Sequence, residues 1–375
     1  MTSRLDRVTR RIEAATRGAA GMPTSDERGI PHARVPGPTH PKGSPMKTVP
    51  VALCQLAVGA DKEANIARAR RAICDAAADG AKLVVLPEMW NCPYANESFP
   101  VYAEPIGEVA RWGGACSDDE KAREKKAKRV GRGWFGFGGG KKAKASEGGD
   151  EEAASAAAVS SPSVAMMAAA ARECRVVLVG GSIPERCEAS GRLYSTCCVF
   201  DACGTMLATH RKTHLFDIDI PGQIAFKESD TLTAGDSLTV VDTAVGRIGV
   251  GICFDIRFPE MAMVCANRGA QILVYPGAFN TVTGPLHWEL LARARAVDNQ
   301  CFVLVASPAR VPGASYQAWG HSTAVGPWAE IIATCDEGPA TVTCELDMEQ
   351  VAIRRRNIPL EQQRRGDLYA LHDLR

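Results

Sequence analysis

The stretch VPVALCQLAVGADKEANIARARRAICDAAADGAKLVVLPEMW, residues 49–90, decides the fold class. It opens on a β-branched apolar run (49–58) and passes through an amphipathic helical segment closed by Gly80. A second apolar run, residues 81–90, follows. A buried strand, a helix and another buried strand make up the repeating unit of an α/β protein. The alternation returns at 163–185, helix then strand, and again at 259–280 and 286–307. GAKLVVLPE (80–88) and GAQILVYPG (269–277) each follow an amphipathic helix and end a strand in Pro plus one residue, as a duplicated βαβ half would. Shorter runs near 321–347 read as antiparallel strands, and a basic helix is expected from Met348.

Two segments break the pattern. Residues 1–46 are rich in Pro, Gly, Ser, Thr and Arg and are expected to be a flexible tail. Within them Leu5, Val8 and Ile12 fall at helical spacing, with Arg4, Arg7 and Arg11 on another face. Such an Arg-rich amphipathic start is how organellar transit peptides look, although Asp6 and Glu13 fit a plain solvated tail better. Residues 113–162 form a low-complexity insertion of mixed charges, then Gly, then Ala and Ser, too poor in apolar surface to offset ordering entropy. A basic, aromatic-studded partner patch is one reading of it. A tolerated surface insertion is the preferred one, because long loops add little closure entropy. An α/β core, interrupted by the insertion, is therefore expected over 47–371.

Composition narrows the function. Forty-four basic against 43 acidic residues leave a formal charge of +1 over 375 residues, without the basic excess of a dedicated nucleic-acid binder. No apolar run approaches the ~20 residues of a membrane span. Fourteen cysteines are scattered without a CxxC pair, so zinc ribbons and thioredoxin-like sites are not supported. They read as mostly reduced thiols of an intracellular protein, cytoplasmic unless the N-terminus directs mitochondrial or plastid import.

Three strand ends carry candidate chemistry. RIGVGICFDIRFPE (247–260) reads as a buried strand, then Cys253, a tight turn, and a helix starting near Pro259. Active sites of open α/β sheets lie outside strand carboxyl ends, and a nearby helix N-terminus favours thiolate. Gly249 and Gly251 would allow close backbone approach. On these grounds Cys253 is expected to be the thiol alkylated fastest. Glu88 follows the run KLVVLP and, if buried, would have the raised pKa of a general base. Lys212 follows GTMLATHR where a strand leaves into a loop. His210 and His214 flank it, on the side of the strand opposite Lys212, and a Cys–His dyad is the weaker reading. A base to take the thiol proton, a thiolate to attack a carbonyl and an ammonium to hold the oxyanion are sufficient for amide hydrolysis.

LVVLPEMWNCPY (83–94), HRKTHLFDIDIPG (210–222), FKESDTLTAGD (226–236), GVGICFDIRFPE (249–260), YPGAFN (275–280) and GPLHWELLARARAVDNQ (284–300) together resemble the nitrilase, or carbon–nitrogen hydrolase, superfamily, and within it the omega-amidase branch. The resemblance implies an αββα sandwich, a homodimer, a small-molecule amide substrate and no cofactor or metal, with no role for nucleic acid or membrane. It implies a Glu88–Lys212–Cys253 triad, Glu228 orienting the lysine, and the Phe254 N–H completing an oxyanion hole. Tyr94, closing the first motif, and Arg257 are counted with Phe254 as substrate-binding. Arg257 suits bidentate capture of a carboxylate, the alternative being an ion pair with Asp255 or Glu260. True nitrilases usually carry Trp-Glu after the cysteine, whereas Phe254-Asp255 favours an amidase. The implied substrates are α-ketoglutaramate and α-ketosuccinamate. Deaminated-glutathione amidase and N-carbamoyl acid hydrolase stand as alternatives, and an idle scaffold that binds partners through the insertion as a different class.

Overall fold

Strand β1 (Thr48–Gln55) alternates faces in the way period-2 geometry demands: Val49, Val51 and Leu53 face one apolar core, and Ala52 and Cys54 face another. Both sides of the strand must therefore be covered. The computed structural model describes residues 46–107 and 161–374. The tail expected over 1–46, save Met46, and the insertion expected over 113–162, save its last two residues, lie outside the described residues. Ser161 and Pro162 flank and open a helix.

Helix α1 (Lys62–Ala78) starts where the Asp61 carboxylate accepts the Ala64 N–H, an N-cap, and the chain turns away at Gly80, φ +100°. It leads to β2 (Leu83–Val85), parallel to β1. Helix α2 (Pro162–Cys174) leads to β3 (Val177–Val179), parallel to β2. Strands β4 (Ile183–Arg186), β5 (Leu193–Phe200) and β6 (Met206–Arg211) extend the sheet antiparallel. A small hairpin of β7 (Asp217–Ile220) and β8 (Ile224–Lys227) follows.

The second half repeats the plan. Strand β9 (Thr239–Thr243) pairs antiparallel with β10 (Gly246–Val250). Helices α3 (Pro259–Asn267) and α4 (Gly284–Asn299) precede β11 (Ile272–Pro276) and β12 (Phe302–Ala306), both parallel to β10. Strands β13 (Thr323–Val325) and β14 (Ile331–Thr334) close that sheet in the order β14-β13-β12-β11-β10-β9. The chain then crosses back: β15 (Ala340–Asp347) pairs antiparallel along all of β1, and α5 (Glu349–Asn357) follows. The first sheet therefore runs β15-β1-β2-β3-β5-β4, with β6 on β5.

One core lies between the sheets, where Val51, Leu83, Val177 and Val199 meet Ile248, Val250, Ile272 and Val274. A second lies under α1 and α2, where Ala69, Ile73, Val164 and Met167 meet Ala52, Val84 and Leu178. Helices α3 and α4 cover the other outer face through Ala262, Cys265, Trp288 and Ala292. The layers are helix, sheet, sheet, helix, the expected αββα sandwich. The echo between residues 80–88 and 269–277 corresponds to β2 and β11, each central in its own sheet.

Candidate active site

Four chain segments converge where strands end. Glu88 follows β2, Lys212 follows β6, Cys253 follows β10, and Glu228 opens a single 3₁₀ turn, Glu228–Asp230, after β8. All four side chains are buried. Lys212 Nζ lies 2.9 Å from Glu88 Oε1, and 3.0 and 2.8 Å from the two oxygens of Glu228. A lone buried ammonium would cost several kcal/mol, and two carboxylates answer it here. Burial by itself pulls the Lys212 pKa down, but Glu228, Glu88 and Cys253 hold it well above the ordinary lysine value.

Each carboxylate is held from a second side. Glu88 Oε2 accepts the Ala278 N–H at 2.7 Å, and Glu228 Oε2 accepts the Phe216 N–H at 2.7 Å. Glu88 and the Cys253 thiol are near enough to shift each other's proton affinity. Burial raises the Glu88 pKa; Glu228 raises it further and Lys212 opposes. Burial and Glu88 push the Cys253 thiol well above its ordinary value, against Lys212. Charge counting explains this. Two carboxylates and one ammonium already make the buried cluster net negative, so losing the thiol proton to water would add a second uncompensated charge. Passing that proton to Glu88 leaves the net charge unchanged. The arrangement favours an internal transfer over a resting thiolate.

This corrects the reading of Cys253 as a helix-activated thiolate. The expected tight turn is there as a 3₁₀ turn, Cys253–Arg257, and α3 starts at Pro259 as read, but burial rather than the helix sets the thiol; the Cys253 φ is +47°, left-handed for a residue with a side chain. The turn is braced by Asp255, whose buried carboxylate accepts the Ile252 N–H at 2.9 Å and the His214 N–H at 2.9 Å. It also meets His214 Nδ1 at 2.8 Å and His210 Nε2 at 3.2 Å. Both histidines serve Asp255, so the dyad reading gives way to a bracing role. Despite burial, these partners hold the Asp255 carboxyl well below the usual range. Gly249 and Gly251 are needed for side-chain contact rather than backbone approach: a Cβ at Gly251 would sit 2.5 Å from the Tyr275 ring, and one at Gly249 2.9 Å from Leu273.

Tyr94 is half-buried beside the cluster and its hydroxyl donates to Glu228 Oε1 at 3.0 Å. Its ring lies 4.5 Å from that of Tyr316, whose hydroxyl donates to the Ala278 carbonyl. Glu88, Tyr94, Ala278 and Tyr316 line a cavity of about 60 Å³. Phe254 sits half-buried against Phe216 and Phe258, with ring centroids 5.5 and 5.7 Å away. Its N–H lies just ahead of the first bond of the 3₁₀ segment, which the Asp255 N–H donates to the Ile252 carbonyl.

Arg257 does not pair with Asp255 or Glu260. Its guanidinium carbon lies 4.7 Å from the Phe279 centroid and 5.4 Å from that of Phe254, and Nη1 contacts His287 Nδ1 at 3.2 Å. Its Nε is buried without a hydrogen-bond partner. Burial lowers its pKa, while Cys253 and Tyr316 pull the other way. Among the described residues no carboxylate pairs with it. Tyr316 and the Ala278 N–H are members of the site that sequence reading did not single out. Ala278 does lie inside the quoted YPGAFN motif, but Tyr316 comes from a loop with no periodic signal.

Residues 50–356 match the family model described as carbon–nitrogen hydrolase. "Omega-amidase, chloroplastic" of Arabidopsis thaliana is 49% identical over 342 residues, which is 91% of this chain and 79% of that protein. "Omega-amidase NIT2" of Homo sapiens is 44% identical over 327 residues, 87% of this chain and 98% of that protein. Among solved structures, Saccharomyces cerevisiae Nit3, described as a member of branch 10 of the nitrilase superfamily, matches with a TM-score of 0.67 at 38% identity. That match covers 85% of this chain and 97% of the yeast one.

Proposed function

The chain belongs to the carbon–nitrogen hydrolase family, and from that membership we propose that it is an omega-amidase, releasing ammonia from the terminal amide of small dicarboxylic-acid monoamides such as α-ketoglutaramate and α-ketosuccinamate. The observation that carries the reading is the Lys212 ammonium fixed between the carboxylates of Glu88 and Glu228, buried together with the Cys253 thiol.

The steps follow from that placement. Glu88 takes the thiol proton as Cys253 attacks the amide carbonyl, and Lys212 and the Phe254 N–H face the developing oxyanion. Glu88 returns the proton to the amine, ammonia leaves, and a thioester remains. Glu88 then takes a proton from water, the resulting hydroxide attacks the thioester, and the carboxylic acid and free thiol are released. Glu228 and Tyr94 keep Lys212 in place throughout. Arg257, close to the thiol and without a carboxylate partner among the described residues, suits the distal carboxylate that these substrates carry. The exposed Leu286 and Leu290, one turn apart on α4, favour a homodimer. The chloroplastic name of one relative, with the Arg-rich residues 1–15, favours plastid import.

Ammonia release from ω-amides, nitriles and N-carbamoyl acids tests the reading. The highest kcat/KM is expected for ω-amides bearing a free carboxylate, and a preference for either other class overturns it. Arg257→Lys is expected to raise KM for a carboxylate-bearing amide about tenfold more than for a neutral short amide, through loss of a bidentate contact.

A further inference from the structure

Far from the cleft, two thiols meet on the outer helical layer. Cys74 lies in the last turn of α1 and Cys174 is the last residue of α2. The Cys174 thiol donates to Cys74 Sγ with the sulfurs 3.2 Å apart. Both residues are half-buried, so a small oxidant can reach them, unlike Cys54, Cys197 and Cys198 in the cores. A disulfide is about 2.05 Å long, so the sulfurs need to approach by little more than 1 Å. Side-chain rotation on two helices already in contact through one core supplies that movement.

We propose that Cys74 and Cys174 are a site of reversible oxidative modification, at which a low-molecular-weight disulfide oxidises the pair to a cystine tying α1 to α2. The roles follow from the geometry. The sulfurs meet at 3.2 Å, so a mixed disulfide formed on Cys74 lies within reach of Cys174. Burial and the Cys74 contact push the Cys174 thiol up to about 11, which keeps its proton in place until the second step. Arg70, one turn before Cys74 and paired with Glu173, places a guanidinium near both sulfurs.

In the first step Cys74 gives up its proton to solvent and its sulfur bonds to one sulfur of the small disulfide, whose S–S bond breaks and releases one thiolate, which solvent then protonates. In the second, Cys174 gives up its proton to solvent and its sulfur displaces the other small thiolate from Cys74. Two protein thiols have lost two electrons, and one small disulfide has become two thiols. The bond encloses residues 75–173, including β2, Glu88 and Tyr94. Closing so long a segment restricts the unfolded chain strongly, so oxidation should stabilise the fold without touching the cleft.

The full-length protein incubated with oxidised glutathione, then alkylated and mapped without reduction, tests this. A Cys74–Cys174 linked peptide is expected, together with a melting temperature about 5 °C higher. Dithiothreitol should reverse both, and Cys74→Ser should lack both while keeping wild-type ammonia release in the reduced state. A persistent glutathione adduct on Cys74 without the link overturns the proposal, as does a melting shift that survives in Cys74→Ser.

Discussion

The Tyr94 hydroxyl and Lys212 Nζ converge on one oxygen, Glu228 Oε1, each at 3.0 Å. Tyr94→Phe removes a neutral donor from a buried charged acceptor, a contact of about 1.5–3 kcal/mol. Because the lysine that Glu228 positions faces the reaction, part of that loss should appear in kcat: roughly tenfold lower, with KM nearly unchanged. A wild-type kcat in Tyr94→Phe would mean that Lys212 and the Phe216 N–H hold Glu228 without help.

Glu88 sets the acid limb of the pH profile. Only its ionised form accepts the thiol proton, and burial and Glu228 raise its pKa. The limb of kcat/KM should therefore lie above the ~4.3 of a free glutamate. Glu228→Gln removes a like charge, so the limb should move to lower pH even as the rate falls sharply. A pH–rate series on both proteins checks it, and an upward movement contradicts the assignment.

Thiol reactivity and catalytic importance should separate. Cys253 is buried with its thiol pushed up, whereas Cys187, half-buried, is pushed down by hydrogen bonds from Ser190. With limiting iodoacetamide, Cys187 should be labelled before Cys253, while loss of activity tracks Cys253 alone. This reverses the order expected from sequence. Activity falling in step with Cys187 labelling would overturn the catalytic role of Cys253.

Asp255 predicts a pH-dependent contribution to stability. Its pKa is depressed in the fold, so its stabilisation is complete above the unfolded value of about 3.9 and is lost as pH falls toward the folded one. Asp255→Asn should lower the melting temperature by several degrees at pH 7, from the loss of charge-assisted bonds worth about 1.5–3 kcal/mol. The gap to wild type should narrow below pH ~4. A constant gap down to pH 3 would show that shape, not charge, holds the turn.

Much of this was legible in the residues themselves. The alternation along 49–90 and 247–280 is set by burial on both strand faces, and burial leaves a period that can be read. Glu88 and Cys253 stood out because each follows such a run, and Lys212 because it leaves the end of a strand. What stayed hidden depends on folding over distance. Ala278 meets Glu88 across the two sheets, Tyr316 comes from an aperiodic loop, and Asp255 acquires its histidines from β6 and the segment after it. No local pattern records those meetings. The activation of Cys253 was misread for the same reason, since a helix start is visible in sequence and a burial penalty from three other segments is not.

The left-handed backbone at Cys253 gives two inactive variants an unusual ranking. In an ordinary helix or strand, alanine is more stable than glycine by roughly 0.5–1 kcal/mol. At φ +47° the preference inverts, because a Cβ is strained there and glycine is not. Cys253→Gly should thus melt above Cys253→Ala, although both are dead. The backbone at this position would itself favour the smallest residue available, so a side chain here runs against the preference of the fold.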